Sequence, residues 1–251
     1  MKHFVLIRSV YGPRPLDLNR RRIELAAGIT VRSLVAQTDQ QFEVVVCMDI
    51  NDPLKVERQA MFGARNLTTW FVYIDSANLT PDQTGIAAYR APWHTILGDG
   101  PYLTTRIDDD DAFAPDAIAR IKTLYGRAID IGRDIGHTKE FAIVLPNGYR
   151  VWGGRYSPIE HRSNAWSTLY TPAGPHHVYT YRHREIAKHV PVVYGNTKPG
   201  WLWVRHPDTL SGHKAALKPY DDELRTRFPI DWALLDLQPL VEPRKGERKF
   251  R

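Results

Sequence analysis

One cysteine, Cys47, stands in a chain of 251 residues. That excludes an internal disulfide and fits a reducing compartment. Cys47 lies in the apolar run Phe42-Glu43-Val44-Val45-Val46-Cys47-Met48, where it reads as a buried small hydrophobe, not a nucleophile. No apolar run approaches the ~18 residues that span a bilayer. The opening Met1-Lys2-His3-Phe4-Val5-Leu6-Ile7-Arg8 has too short an apolar stretch for a signal peptide. The expectation is a cytoplasmic protein. No Gly-x-x-x-x-Gly-Lys-Ser/Thr pattern occurs, which disfavours a P-loop kinase. No RNA or DNA recognition motif occurs either, so no stable nucleic-acid partner is expected. Internal repeats, low-complexity tracts and long linkers are absent. Acids are scarce between residues 145 and 200, where Glu160 and Glu185 stand alone.

What is present is ordinary for a globular protein. Hydrophobic residues make up 43%, with seven Trp and twelve Tyr, enough for a sizeable core. The formal charge is +6 and the pI is near 9.4. That balance favours polyanionic partners: nucleotide diphosphates, nucleic acid or an acidic membrane face.

Strand and helix signals alternate through the first half. Phe4–Ile7 and the Val run of Phe42–Met48 are predicted as buried strands. Leu18–Gln37 is predicted as a helix, with Ile23, Ala26, Ala27, Val31, Leu34 and Val35 recurring at threes and fours. Gly28 is expected to break or kink it. Pro53 opens a helix to Ala64, since Pro suits a first turn. Trp70–Ile74 reads as a strand, Gln83–Leu97 as a helix disturbed by Pro92, Tyr102–Ile107 as a strand, and Ala114–Ile129 as a helix. This rhythm implies an α/β fold, Rossmann-like, with a mostly parallel sheet and helices on both faces. The second half turns to short strands: Phe141–Leu145, Tyr149–Trp152, Ala165–Tyr170, His177–Tyr181 and Trp201–Val204. Only Arg182–His189 and Asp221–Arg227 look helical there. A smaller mixed β region is expected. The simplest division is one domain over 1–251, with a nucleotide half (1–111), an acceptor half (112–240) and a basic tail (241–251).

The most informative stretch is Tyr102-Leu103-Thr104-Thr105-Arg106-Ile107-Asp108-Asp109-Asp110-Asp111. Four adjacent carboxylates repel one another unless a cation neutralises them. Here they follow a strand, and ligands of open α/β sheets bind beyond the carboxyl ends of strands. Such a cluster suits Mg²⁺ or Mn²⁺, hard cations with oxygen ligands. The bland alternative is a solvated loop with one helix-capping aspartate.

Thr105-Arg106-Ile107-Asp108-Asp109-Asp110-Asp111-Ala112 resembles the Asp-x-Asp segment of GT-A glycosyltransferases. It is most similar to the Arg-Ile-Asp-x-Asp-Asp-Ala pattern of the rhamnosyltransferase family. Ser33-Leu34-Val35-Ala36-Gln37-Thr38-Asp39-Gln40-Gln41-Phe42 resembles the Ser-Leu-x-x-Gln-Thr-x-x-x-Phe segment of family-2-like glycosyltransferases. His3-Phe4-Val5-Leu6-Ile7-Arg8 and Trp201-Leu202-Trp203-Val204-Arg205-His206 are similar to the rhamnosyltransferase family's opening strand and late Trp-Leu-x-Val-x-His segment. The resemblance implies a GT-A-like transferase of sugars from a nucleotide-diphosphate donor (UDP-, GDP- or dTDP-linked) to a glycan, protein or lipid-linked acceptor. It implies that Asp108 faces the ribose or sugar, that Asp110 is the principal metal ligand, and that His206 completes the metal or pyrophosphate site with them. Asp109 belongs to the same donor-binding run, and Asp111 would support the metal or the donor sugar. Arg8 and Asp49, at the ends of the first two strands, would line the nucleotide pocket. Arg106 would contact the diphosphate or tie down the aspartates.

A catalytic base has no match in the resemblance. Glu160, expected in a loop before the Ala165–Tyr170 strand, is the first candidate; Glu185 pairs locally on a helix, and His176, His177 and His183 are further candidates with a plain surface role as the bland reading. The aromatics Trp152, Tyr156, Trp166, Tyr170, Tyr179 and Tyr181 read as core first and acceptor groove second. The tail Glu242–Arg251 carries five basic residues against two acidic, a solvated end or a peripheral membrane contact. The rival reading is a metal-dependent nuclease or phosphotransferase acting on nucleic acid, since clustered aspartates also suit phosphodiester chemistry.

Overall fold

The structure, a computed structural model, describes residues 1–9, 16–63, 66–77, 89, 91–134, 139–205 and 218–236. Strands β1 (Lys2–Ser9), β2 (Glu43–Asp49), β3 (Thr69–Ile74) and β4 (Tyr102–Asp108) form the parallel half of a seven-stranded sheet. β1, β2 and β4 are buried along nearly their whole length, which is why they read as continuous apolar runs without alternation. The remaining strands are β6 (Phe141–Val144), β9 (Ser167–Thr171) and β10 (Val192–Tyr194), in the order β10-β6-β9-β4-β1-β2-β3. β9 runs antiparallel to both β4 and β6, and β10 runs parallel to β6. Leu103, Ile107, Phe141 and Ile143 join β1 and β2 residues in the main core.

The register sets the functional edge. Arg8 lies level with Cys47 on one side and Asp108 on the other, and Asp49 lies level with Ile74. The carboxyl ends of the four parallel strands therefore meet at one rim.

Helix α1 (Leu16–Leu25) runs directly into a π-helical turn, Ala26–Val31, and then α2 (Arg32–Val35). The expected helix exists, and Gly28 marks the π turn where a break or kink was anticipated. A Cβ on Gly28 would lie 2.3 Å from Leu234 Cδ1. Its carbonyl accepts the Asp231 N–H at 2.8 Å. Close approach by the C-terminal segment thus explains the glycine. Helix α3 (Lys55–Gly63) starts two residues after Pro53, and α5 (Ala117–Asp134) starts three residues later than expected. Of the expected helix Gln83–Leu97, residues 83–88 and 90 lie outside the described residues, and α4 (His94–Leu97) is its described part.

A second sheet has the order β12-β8-β7-β11-β5. Its strands are β5 (Ala112–Phe113), β7 (Asn147–Trp152), β8 (Arg155–Glu160), β11 (Trp201–Val204) and β12 (Lys218–Pro219). The architecture is the expected large, mostly parallel sheet with helices and a smaller mixed sheet. One face of the small sheet, with Val151, Tyr156, Leu202 and Val204, packs on Phe228, Ile230 and Trp232. The other face carries Trp201, which lies over Gly148, where a Cβ would come within 2.1 Å of the indole. Trp201 stacks on Trp166 at 4.0 Å and 12°, so this pair joins the two sheets.

Three expectations are corrected. His177–Tyr181 forms turns, not a strand: Thr180 Oγ1 accepts the His177 N–H at 2.9 Å and His177 Nδ1 accepts the Tyr179 N–H at 3.2 Å. Side chains that bond the local backbone favour a turn over a ladder. Arg182–His189 yields only the short helix α6 (Ile186–His189). Glu160 ends a strand and is not in a loop. Helix α7 (Asp222–Arg227) is capped by Asp221, whose carboxylate accepts the Leu224 N–H, and α8 (Ala233–Asp236) follows. Among the described residues, no helix is long and apolar enough to cross a membrane.

Candidate active site

β4 delivers the four aspartates to the rim of the large sheet, and each meets a different environment. Asp108 is the most accessible, with its side chain 21% exposed. Its Oδ2 accepts from Arg8 Nη2 at 3.0 Å, and Arg106 Nη2 stands 3.9 Å from Oδ1. Oδ1 itself is buried and accepts no hydrogen bond. Asp108 pushes the Arg8 guanidinium's pKa up, so that charge is fixed.

The next three are buried. Asp109 accepts from Ser9 Oγ at 2.7 Å and from Arg22 Nη2 at 2.8 Å. Arg22 Nη1 reaches Asp110 Oδ2 at 2.8 Å. One guanidinium from α1 thus straddles two carboxylates, a geometry that suits the fork of arginine. Asp111 turns away from the rim. Its Oδ1 accepts the Val204 N–H at 3.0 Å and its Oδ2 the Trp166 Nε1–H at 3.1 Å. Thr30, in the π turn, donates to the Asp111 carbonyl at 2.8 Å. Burial, then repulsion from Asp110, pushes the Asp109 and Asp111 carboxyls well above the usual range. The Ser9 hydroxyl and the Val204 N–H oppose that rise at Asp109 and Asp111 respectively.

Arg106 is buried beneath Asp108. It lies 4.9 Å from the Tyr179 ring centroid, with Nη1 3.2 Å from Tyr89 Oη and 3.4 Å from His183 Nδ1. Burial, aided by Arg106, pulls the His183 imidazole down to about 3, so it is neutral. Asp49 sits on the same rim, but Asn51 N–H (3.0 Å) and the Ser76 hydroxyl occupy its carboxylate. It ties the loop after β2 to the loop after β3.

The structure therefore brings Arg8, Asp49, Arg106 and the aspartates together. It does not bring Glu160 to them. Glu160 pairs with Asn147, four residues down β7 from Val151, the residue level with Val204. Four residues along a strand span roughly 13 Å. Glu160 is exposed and pairs with Arg162 at 2.9 Å. His206 lies outside the described residues, as does the basic tail. Sequence reasoning missed Arg22 and Ser9, and it placed neither Trp166 nor His183 beside the aspartates. The Arg20-Arg21-Arg22 run was a visible signal for the first, since its third arginine falls on the same helix face as the buried Asn19 and Leu25.

Among the described residues, no three His, Cys, Asp or Glu side chains are grouped to hold a metal ion. The donor chemistry nevertheless fits a hard cation. Asp108 Oδ1 is a buried oxygen without a hydrogen bond. Mg²⁺ commonly takes one or two carboxylates and completes its shell with water and substrate phosphate.

Among solved structures the chain is similar to TarS of S. aureus in complex with UDP, with 14% identity and a TM-score of 0.47, over 82% of this chain and 61% of that one. It is similar to a second TarS structure with 14% identity and a TM-score of 0.42, over 83% of this chain and 37% of that one. HddC from Yersinia pseudotuberculosis is similar at 11% identity and a TM-score of 0.43, over 80% and 92% of the two chains. The chain thus spans less than two thirds of either TarS structure. No curated protein matches it. Residues 7–218 match the family model described as "Putative rhamnosyl transferase", and the chain belongs to that family of glycosyltransferases.

Proposed function

We propose that the protein transfers a sugar from a nucleotide-diphosphate sugar to an acceptor hydroxyl, assisted by Mg²⁺ or Mn²⁺. In a chain of this family, one observation carries the reading: Arg8, Arg106 and a partly accessible Asp108 converge at the carboxyl-end rim of β1 and β4. That rim is where open α/β sheets bind ligands. The donor is a UDP-, GDP- or dTDP-sugar; the acceptor is a glycan, protein or lipid-linked hydroxyl.

The residues divide the work. Asp108, with Asp110 beside it, would hold the cation. When bound, the cation neutralises charge on the departing nucleoside diphosphate. Arg8 and Arg106 place fixed positive charge beside the same group, preorganised where negative charge develops. Arg22 holds Asp109 and Asp110 in register, and Asp111 anchors the run to the small sheet. Asp49 shapes the nucleotide side by holding its two loops. His206 remains a proposed partner of the cation. Glu160 is given no role as base, because its position on β8 is remote from the run.

A thermal-shift panel of UDP-, GDP- and dTDP-sugars, with Mn²⁺ and with chelator, tests this. The expected result is a shift selective for one nucleotide and lost on chelation. A shift that survives chelation removes the cation from the proposal. No shift with any donor removes the transferase reading.

A further inference from the structure

The small sheet holds two buried cations that the mechanism does not use. Arg150 on β7 is 5% exposed and Arg205, immediately after β11, is 4% exposed. Strand register places Trp203 level with Arg150, and the Arg205 N–H extends the ladder to the Val151 carbonyl at 3.0 Å. Side chains alternate along a strand, so Arg150, Trp152, Trp203 and Arg205 share the face that carries Trp201. Neither arginine has a carboxylate partner among the described residues. Among the described residues, the Arg150 side chain reaches only the Ser157 hydroxyl, at 3.4 Å. Arg205 lies over the Trp152 and Trp203 rings at 4.6 and 5.9 Å, and its Nε has no hydrogen-bond partner. The indole N–H of Trp152 is likewise buried and unpartnered.

This arrangement is costly in isolation. A buried charge is normally paired, and two like charges in one low-dielectric place repel. Burial first, then Arg150, pulls the Arg205 guanidinium down to about 10. The local sequence offers no relief, with seven basic residues against two acidic between 145 and 200. The cations flank the active site on the side of Asp111: Val204, which bonds Asp111, is adjacent to Arg205, and Trp203 meets Trp166 edge-on at 6.2 Å. The rim that faces the nucleotide in the proposed function lies at the Asp108 end of the same run.

We propose that Arg150 and Arg205 seat an anionic group of the acceptor, a phosphate or carboxylate carried by a glycan, with Trp152 and Trp203 as its walls. The proposal deepens the transferase reading and rests on it. The acceptor is then an acidic glycan, and its charge fixes which hydroxyl meets the donor. Guanidinium forks match both anions bidentately, and Trp152 Nε1 adds a neutral donor.

Inorganic phosphate is the probe, titrated by calorimetry into the full chain with and without a saturating nucleoside diphosphate. Phosphate should bind in both conditions. Binding should weaken roughly tenfold in Arg150→Gln and in Arg205→Gln, since each removes one charge-assisted pair. Arg205→Lys, which keeps the charge and loses the fork, should fall between. The melting temperature of the free Gln variants should hold or rise, because an unpaired buried cation has been removed; a packing role predicts a fall. Equal phosphate affinity in wild type and variants, or no binding in the millimolar range, overturns the seat. Displacement of phosphate by the nucleoside diphosphate overturns the acceptor assignment, because the pair then serves the donor. A failure of the transferase reading looks different: no nucleoside diphosphate binds, whatever phosphate does.

Discussion

Asp108 and Asp111 are three residues apart and differ in almost every physical respect. Asp108 leaves one oxygen without a hydrogen bond and shares a part-exposed pair with Arg8. Asp111 is buried and accepts two N–H groups, one from Val204 in the small sheet and one from the Trp166 indole just ahead of β9. Asp108→Asn should lower kcat/KM by roughly a hundredfold or more, as loss of a preorganised charge does. Its stability should change by no more than about 1 kcal/mol, the worth of a part-exposed pair. Asp111→Asn should invert the pattern. An amide has one oxygen, so its NH₂ must face either the Val204 or the Trp166 N–H, at a cost of about 1–3 kcal/mol. Denaturant unfolding with donor titration on both variants checks this; equal stability losses would contradict it. Cys47 gives a second residue-scale prediction. It is buried in β2, and burial pushes its thiol up to about 12. A thiol reagent should label the native protein far more slowly than the unfolded one, because the thiolate is the reactive form. Rapid labelling under native conditions would contradict the burial.

At the scale of elements, the π turn is the informative one. Such turns are frequent at functional sites, and this one sends Thr30 to the Asp111 backbone while Gly28 admits Leu234. Gly28→Ala would normally favour a helix by up to about 1 kcal/mol. Here the added methyl meets Leu234 Cδ1 at 2.3 Å, and overpacking of this kind costs about 1–3 kcal/mol. The variant should therefore be less stable by urea melting, and a second change, Leu234→Ala, should restore part of the loss. The parallel strands were legible in the sequence because burial on both faces writes itself as unbroken runs such as Val44–Met48. The aspartates were legible as a candidate site because they end a strand. Arg22 stood in a visible arginine run, but its pairing was not legible, because its partners are 87 and 88 positions away. Strand β8 was missed since Arg155-Tyr156-Ser157-Pro158 breaks the apolar rhythm; Pro158 is tolerated there opposite Tyr149 at a position that local sequence would demote. The His177–Tyr181 segment had the composition of a strand and lost to side-chain capping.

For the molecule as a whole, pH acts through imidazoles held neutral. Burial, then Lys122, lowers His3 to about 3, and burial, then His176, lowers His177 to about 4. Unfolded histidine titrates near 6.5. Between these values each of these histidines binds more proton in the unfolded chain than in the folded one, so its contribution to stability falls as pH falls below about 6.5, against the opposite contribution of the raised Asp109 and Asp111 carboxyls. Each histidine adds at most about 1.4 kcal/mol per pH unit in that window. His3→Gln should flatten the slope of unfolding free energy between pH 6 and 4 by roughly one proton, leaving the slope above pH 7 unchanged. An unaltered acid slope would mean that His3 is accessible to protons in the native state.

The tie between Asp111 and Val204 has a consequence for the order in which the chain is made. Strand β11 pairs with both β7 and β5, and neither contact can exist before residue 204 has left the ribosome. The Gly28 carbonyl waits longer still, for the N–H of Asp231. A nascent chain that has emerged only as far as α5 already displays all four aspartates, yet the carboxylate of the last has neither of its N–H partners. Pairings of such long sequence separation form late and slowly, and unpaired strand edges are exposed meanwhile. Nucleotide affinity, in the proposed function, should therefore be absent from ribosome-stalled chains ending near residue 200 and appear only after the C-terminal segment is released.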